Sequence, residues 1–265
     1  MYSFEYQHPT SISAVATALA ADPDAKVVAG GMTLIPTLKQ RLAMPSTLVD
    51  LRDIPELQGV RAEGDSIVVG AMTPHADVAY DTTVRDRIPA LAYLARHIGD
   101  AQVRNRGTLG GSIANADPAA DYPAAVVGLN ATVVTSSREI AADDFFTGMF
   151  ETALEPGEIV TAVRFPVPQR AGYAKFRHPA SRYAVVGVMV VQTAAGVRVA
   201  VTGAGPSVFR VAEMEQALAG NFSPDALAGI TVSPDGLNAD IHAGADYRAH
   251  LVTLMAKRAV VMATG

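Results

Sequence analysis

Two glycine doublets in separate parts of the chain constrain its fold more than any other feature. The first lies in "AGGMT", residues 29–33, directly after the apolar run "KVV". The second lies in "GTLGGSIANADPAAD", residues 107–121. A short apolar run that ends in glycines predicts a buried strand and a tight turn. The segment "LIPTLKQRLA" then predicts a helix with Leu34, Leu38 and Leu42 on one face, so the chain begins with an α/β unit.

The pattern changes at Pro166 and Pro168. Before them, strand candidates alternate with the helix "IPALAYLARHIG", while the glycine, asparagine and aspartate content of residues 107–121 predicts irregular structure. After them, "YAKFRHP", "AVVGVMVVQT" and "VRVAVTGAG" predict an antiparallel meander. The sequence therefore predicts an α+β fold. We expect a two-part α/β domain over 1–165, with subdomains 1–57 and 58–165, and a C-terminal domain of antiparallel sheet and helices over 166–265.

The composition argues against several classes of protein. With 21 basic and 26 acidic residues, the net charge is −5, and no basic surface for nucleic acid is expected. The chain has no cysteine, which removes disulfides, thiolate nucleophiles and cysteine-ligated iron–sulfur clusters. The longest apolar run, residues 184–191, is too short to cross a bilayer, and the first residues lack a signal-peptide pattern. We expect a cytoplasmic protein without an integral membrane segment.

The glycine doublets are suited to one kind of chemistry. Adjacent glycines let backbone N–H groups converge on one point without a Cβ in the way, which suits a phosphate oxygen. Hydroxyl groups accompany both doublets, at Thr33, Thr108 and Ser112. The alternative is that each doublet is only a tight turn. Neither the G-x-x-x-x-G-K-[ST] nor the G-x-G-x-x-G motif is present, so the residues alone leave both interpretations open.

Longer motifs carry a family resemblance. "VVAGGMTLIPTLKQRL", "HIGDAQVRNRGTLGGSIANADPAADYPA", "PSTLVDLRDIPEL", "PGEIVTAVRFP" and "YAKFRHPASRYAVVGVMV" occur in this order over nearly the whole chain. They resemble the FAD-binding medium subunits of molybdenum hydroxylases, the carbon monoxide dehydrogenase and xanthine dehydrogenase family. The resemblance implies an FAD-binding domain of the vanillyl-alcohol-oxidase-like (PCMH) fold.

It also implies that both glycine loops bind the FAD pyrophosphate through backbone amides. The cofactor-binding residues carried over from the family are Val28, Ala29, Gly30, Gly31, Met32, Thr33, Leu34, Ile35, Ile98, Thr108, Leu109, Gly110, Gly111, Ser112, Asp121, Val160 and Lys175.

Asp121 and Lys175 have plain structural alternatives. A carboxylate at Asp121 suits the ribose or ribityl hydroxyls of FAD, or it caps the helix that starts at Tyr122. A cation at Lys175 near the flavin favours the reduced cofactor, or the residue is a surface lysine on a strand. Arg104 and Arg106 are equally compatible with phosphate contact, with ordering of the loop and with a partner contact.

Two residues depart from the family pattern. Met32 occupies a position that is usually polar, which puts a side-chain contact to FAD in doubt but not the backbone contacts. Arg182 replaces an acidic residue before the aromatic Tyr183, and Tyr183 lies either near the flavin ring or in the core.

The resemblance implies an electron-transfer subunit. Electrons pass from a small 2Fe-2S subunit to FAD and then to an external acceptor, while a large subunit holds the molybdenum cofactor. A dimer of heterotrimers is expected, and no residue of this chain is expected to be catalytic towards substrate. The alternatives are a free-standing FAD-dependent oxidoreductase of the same fold and a scaffold subunit without redox function.

Overall fold

The computed structural model describes residues 1–265. Its first five elements are β1 (Glu5–Gln7), α1 (Ile12–Ala21), β2 (Lys26–Val28), α2 (Leu34–Lys39) and β3 (Thr47–Asp50). The three strands form a parallel sheet with β3 in the centre, flanked by β1 and β2. Because parallel strands require a crossover, α1 and α2 make the connections. The first glycine doublet lies where β2 ends and α2 is about to begin.

Helix α2 is shorter than its leucine spacing predicts. It ends at Lys39, and Leu42, expected on its apolar face, is 74% exposed. Arg41 adopts a left-handed conformation with φ 60°, and the N–H groups of Arg41 and Leu42 donate back to the carbonyls of Leu38 and Thr37. This pattern is a Schellman motif, which ends a helix. The prediction for Leu42 is therefore wrong.

The second part of the chain is built around a five-stranded antiparallel sheet. Its strands are β4 (Val60–Glu63), β5 (Ser66–Gly70), β6 (Thr132–Thr135), β7 (Glu139–Ala141) and β10 (Val160–Pro166). They lie in the order β4-β5-β10-β6-β7, so the last strand in sequence enters the centre of the sheet.

Seven helices and a hairpin complete this part. They are α3 (His75–Tyr80), α4 (Thr82–Arg87), α5 (Pro89–Arg96), α6 (Ala101–Arg106), α7 (Leu109–Asn115), α8 (Tyr122–Gly128) and α9 (Ala142–Phe145), followed by β8 (Phe146–Gly148) and β9 (Glu151–Thr152). Their apolar side chains form the largest core of the molecule together with the sheet.

Helix α7 contradicts the prediction of irregular structure over residues 107–121. The Thr108 hydroxyl caps the helix by accepting the Gly111 N–H at 3.1 Å, and the left-handed Ala116 ends it. Leu109 and Ile113, four residues apart, are both fully buried in the large core. Burial of this face offsets the low helix propensity of the glycine doublet, because packing stabilises short helices more than propensity does.

The last part contains a second antiparallel sheet. Its elements are β11 (Arg170–Arg177), β12 (Ala184–Thr193), β13 (Gly196–Thr202), β14 (Phe209–Arg210), α10 (Ala212–Gly220) and α11 (Ala245–Thr264). The continuous apolar run in β12 is explained by burial on both faces. Met189 and Val191 belong to the large core, whereas Val186, Val188 and Val190 belong to a second core beneath α11.

No helix of the structure combines the length and the apolar character that crossing a bilayer requires.

Candidate functional site

A cavity of about 550 Å³ lies between the two glycine segments. Its volume is in the range of small-molecule and cofactor sites. The first segment, residues 29–34, forms one wall, and the start of α7 forms another. The turn between β11 and β12 reaches the cavity from the C-terminal sheet.

The structure brings most of the predicted site residues together at this cavity. All of them line it except Val28, Ile35, Leu109 and Lys175. Val28 and Leu109 are buried behind the wall. The Ile35 side chain fills the space beside Gly31, where a Cβ would lie 2.8 Å from Ile35 Cγ1. The lining residues among them are Ala29, Gly30, Gly31, Met32, Thr33, Leu34, Ile98, Thr108, Gly110, Gly111, Ser112, Asp121 and Val160.

The glycines are required by contacts between chain segments. A Cβ on Gly30 would overlap the carbonyl oxygen of Arg106, and one on Gly110 would lie 2.5 Å from the Cβ of Ala71. Gly31 has φ 71°, a conformation that favours glycine. Close packing against the chain, in addition to access for a ligand, therefore explains one glycine of each doublet, Gly30 and Gly110.

The two glycine segments differ in the hydrogen-bond donors they leave free. Within the second segment, the N–H groups of Leu109 and Gly110 donate to the carbonyls of Thr73 and Ala71, and that of Gly111 donates to the Thr108 hydroxyl. Within the first segment, no atom of the protein accepts the N–H groups of residues 30–33. The first segment therefore has backbone donors available to a ligand, whereas the second has the hydroxyls of Thr108 and Ser112.

Asp121 stands at the N-terminus of α8 but does not cap it, since its side chain accepts no N–H from the helix. Its carboxylate accepts the Tyr173 hydroxyl at 2.5 Å and the Lys175 ammonium at 2.8 Å. Lys175 Nζ also donates to the His97 carbonyl at 3.0 Å. Burial raises the pKa of Asp121, and the charge of Lys175 is the largest opposing influence.

Lys175 is therefore not a surface lysine, because only 5% of its side chain is exposed. It lies behind Asp121 and not in the cavity wall. Gly187 on β12 leaves room for the Tyr173 hydroxyl, which a Cβ there would overlap. The fold thus builds a buried Tyr–Asp–Lys cluster, with Asp121 as its member in the cavity wall.

His75 is a residue of the cavity wall that sequence reasoning missed. It is 4% exposed, and burial, followed by the nearby charge of Arg104, lowers its pKa to about 4. Its Nδ1 and the neighbouring Tyr122 hydroxyl are both buried without a hydrogen-bond partner. The histidine is therefore neutral at neutral pH. No motif spacing marks this position, so the sequence offers no signal for it.

Several other residues of the cavity wall are also not marked by any motif spacing in the sequence. Asn115, Asp117 and Glu158 line the cavity, and burial raises the pKa of Asp117. Arg104 orders the loop, since its Nη1 donates to the carbonyls of Ile98 and Gly99 at 3.0 Å.

Of the residues that depart from the family pattern, Met32, Arg182 and Tyr183 all line the cavity. Tyr183 is 44% exposed and so is not a core residue.

Comparison with known proteins identifies the family. Residues 2–168 match the model of the FAD binding domain in molybdopterin dehydrogenase. The chain is 37% identical, over 98% of its length, to the nicotine 6-hydroxylase medium subunit of Paenarthrobacter nicotinovorans, 97% of which is covered. The chain belongs to the FAD-binding medium subunits of molybdenum hydroxylases. It is therefore an oxidoreductase subunit, and its cofactor is FAD.

Further relatives agree with this membership. The present chain is 37% identical to the carbon monoxide dehydrogenase medium chain of Hydrogenophaga pseudoflava. The alignment covers 97% of the present chain and 96% of the relative. A solved structure of carbon monoxide dehydrogenase from the same organism matches with a TM-score of 0.89, 36% identity and coverage of 99% and 98%. Quinoline 2-oxidoreductase from Pseudomonas putida 86 matches with a TM-score of 0.90, 31% identity and coverage of 99% and 97%.

The contact at Gly30 yields a stability prediction. Gly30→Ala forces the first glycine segment away from Arg106, and we expect a loss of about 1–3 kcal/mol in unfolding free energy. Gly220→Ala is the control, because no atom lies within 4 Å of a Cβ there and the residue is helical. Chemical denaturation of both variants measures the difference. Equal stability of the two variants would contradict the contact.

The neutral His75 yields a pH prediction. Its pKa falls from 6.5 in the unfolded chain to about 4 in the folded protein. Only the unfolded state binds a proton between these values, so stability decreases as the pH falls from 6.5 to about 4. In His75→Phe we expect this decrease to be smaller by about 3 kcal/mol.

Denaturation curves between pH 7.5 and 4 measure the effect in His75→Phe, with the exposed His250→Phe as control. A wild-type pH profile in His75→Phe would show that His75 does not titrate in this way.

Proposed function

We propose that the chain is the FAD-containing electron-transfer subunit of a molybdenum hydroxylase complex. In this proposal it receives electrons from an iron–sulfur subunit and passes them through FAD to an external acceptor. The observation that carries the proposal is the run of free N–H groups at residues 30–33, which lines the same cavity as the Thr108 and Ser112 hydroxyls. This donor set fits a pyrophosphate.

The first glycine segment would bind FAD through its backbone. The N–H groups of Gly30, Gly31, Met32 and Thr33 are the donors, so the methionine at position 32 costs no backbone contact. Ala29 belongs to the same turn. Val28 and Ile35 support the turn from behind, since both side chains pack close to Gly31.

The second segment would contribute differently from the family expectation of amide donors. Thr108 accepts the Gly111 N–H and keeps its own hydroxyl proton to donate, and Ser112 has a hydroxyl without a protein partner. Gly110 and Gly111 allow the close packing, while Leu109 anchors the helix in the core. Hydroxyls therefore take over the role of the amides here.

The remaining contacts would orient the rings and the sugar chain. Leu34, Ile98 and Val160 present apolar side chains to the cavity, and Asp121 presents a carboxylate suited to a hydroxyl donor. Lys175 acts through Asp121. Because the two charges are paired at 2.8 Å, the cavity meets a carboxylate held in place and not a free cation.

When bound, FAD supplies the redox chemistry of the subunit. The protein contributes binding, orientation and a wall that excludes water. No side chain of the cavity needs to act as an acid or base towards substrate.

The relatives support partner subunits. Several carry the name medium subunit or medium chain, and their names refer to nicotine, carbon monoxide and glyceraldehyde. We assign the molybdenum cofactor to a large subunit and the 2Fe-2S clusters to a small one, in a cytoplasmic dimer of heterotrimers. The substrate would then be chosen by the large subunit. We also propose a division into an FAD-binding domain, 1–165, and a C-terminal domain, 166–265.

Ligand binding tests the pyrophosphate site. FAD is expected to bind the chain at least about tenfold more tightly than riboflavin, which lacks the phosphates. Ser112→Ala should weaken FAD binding by about three- to tenfold through loss of one hydrogen bond, without changing riboflavin binding. Ser207→Ala, outside the cavity, is the control.

Fluorescence titration measures the affinity of FAD and of riboflavin for the wild type and for both variants. Equal binding of FAD and riboflavin would contradict the site.

Reconstitution tests the electron route. We expect the FAD-loaded chain alone not to reduce a dye in the presence of substrate, and the complete complex to do so. Gly31→Asp, which places a carboxylate at the proposed pyrophosphate site, should abolish dye reduction by the complex while the partner subunits still assemble. Substrate-dependent dye reduction by the isolated chain would favour a free-standing oxidoreductase. Unchanged activity of the Gly31→Asp complex would favour a scaffold.

A further inference from the structure

The C-terminal sheet contributes to the cavity through a single turn. Residues 178–183, here named the mouth turn, connect β11 to β12. Ser181, Arg182 and Tyr183 of this turn are the only residues after Val160 in the cavity wall. The position of the mouth turn therefore decides how this side of the cavity is closed.

The backbone of the mouth turn includes an unfavourable conformation at Arg182. The His178 N–H donates to the Tyr183 carbonyl at 2.8 Å, and the Arg182 N–H donates to the His178 carbonyl at 2.9 Å. Arg182 has φ 63°, a left-handed conformation that is unfavourable for a residue with a Cβ. Additional interactions are needed to keep the turn in this form.

The imidazole of His178 supplies them. Its Nδ1 accepts the N–H groups of Ala180 at 3.3 Å and Ser181 at 3.1 Å, and lies 3.2 Å from the Ser181 hydroxyl. The Tyr183 N–H in turn donates to the Ser181 hydroxyl oxygen at 3.4 Å. One ring nitrogen thus organises the backbone up to Tyr183.

These contacts also fix the proton on the ring. A backbone N–H can only donate, so Nδ1 of His178 carries no proton, and the neutral ring carries its proton on Nε2. Nε2 lies 3.2 Å from Nδ1 of His242, which therefore accepts. A metal ion between the two rings would need the lone pair of Nε2, which this tautomer does not have.

His242 is itself held in place by the loop before α11. Its N–H donates to Asp240 Oδ1 at 2.8 Å, and Asp240 Oδ2 accepts the buried Arg248 at 2.7 Å. Arg248 anchors the loop further by donating to the carbonyls of Val185 and Gly203. A connected series of hydrogen bonds therefore runs from α11 to the cavity wall.

We propose that His178 is a positioning residue for the flavin site. With its tautomer set by the N–H groups of Ala180 and Ser181 and its ring anchored by His242, it holds Arg182 and Tyr183 in the cavity wall and thereby limits access of solvent and small solutes to the bound flavin. The statement about the turn rests on the contacts alone, whereas the statement about the flavin rests on the proposed function.

Proteolysis of the full-length chain without FAD tests the turn. In His178→Ala, trypsin should cleave the Arg182–Tyr183 bond about tenfold faster than in the wild type, because the hydrogen bonds that close the turn are lost. In His178→Asn the side-chain oxygen accepts the same N–H groups, so slow cleavage should return. His242→Ala should be cleaved at an intermediate rate. The control His250→Ala, at an exposed position, should be cleaved at the wild-type rate.

Mass spectrometry identifies the cleaved bond, and thermal unfolding confirms that each variant is folded. Wild-type cleavage in His178→Ala, or a failure of His178→Asn to slow it, would overturn the positioning role. If His178→Ala does not fold, the comparison of His242→Ala with His178→Asn tests the positioning role instead. Trypsin must then cleave His242→Ala faster than His178→Asn.

Quenching of flavin fluorescence by iodide tests the second statement. With FAD bound, His178→Ala should raise the quenching constant at least about twofold, and His178→Asn should restore it, because the wall returns to its place. Faster cleavage with unchanged quenching would show that the turn does not shield the flavin. If the wild type itself binds no FAD, the proposed function fails, while the proteolysis still decides the role of His178.

Discussion

The cavity depends on two close contacts between chain segments, each of which has a glycine without a Cβ on one side. Gly30 lies against the carbonyl of Arg106, and Gly110 lies against Ala71. These contacts bring the loop after β2 next to the start of α7, although the two belong to different parts of the chain. The remaining wall residues are placed by the elements that these contacts join.

The same packing separates the roles of the two glycine segments. Close contact with β5 and its following loop occupies the N–H groups of Leu109 and Gly110, so α7 contributes hydroxyls to the cavity. In the first segment, no protein atom accepts the N–H groups of residues 30–33, although Gly30 lies against the Arg106 carbonyl. Two similar sequence motifs thus present different donors, and the difference follows from what each one packs against.

Much of the fold follows from the sequence, because apolar periodicity and turn residues determine local elements. The α/β unit at the start of the chain, a helix within residues 88–99 and the antiparallel meander are all present. Helix α7 was not predictable, because its stability comes from burial of Leu109 and Ile113 and not from propensity. Leu42 is exposed because Arg41 adopts a left-handed conformation. Arginine has no preference for that conformation, so the sequence does not predict it.

The residues of the candidate site are likewise only partly predictable from the sequence. The glycine doublets and the family motifs around them mark the glycine segments in the sequence. No pattern marks His75 and His178, because their roles come from burial and from contacts with distant residues. The pairing of Lys175 with Asp121 joins residues from α8's N-terminus and β11, and only the tertiary structure shows that their charges are paired.

Strand β12 joins the C-terminal sheet to the rest of the molecule. Its side chains alternate between the large core and the core beneath α11, so the strand is a shared wall of both. Rotation of the C-terminal sheet as a rigid body would have to break the packing of β12 in the large core or in the core beneath α11. The two apolar interfaces of β12 therefore hold the C-terminal sheet against the rest of the molecule, and the junction has no hinge.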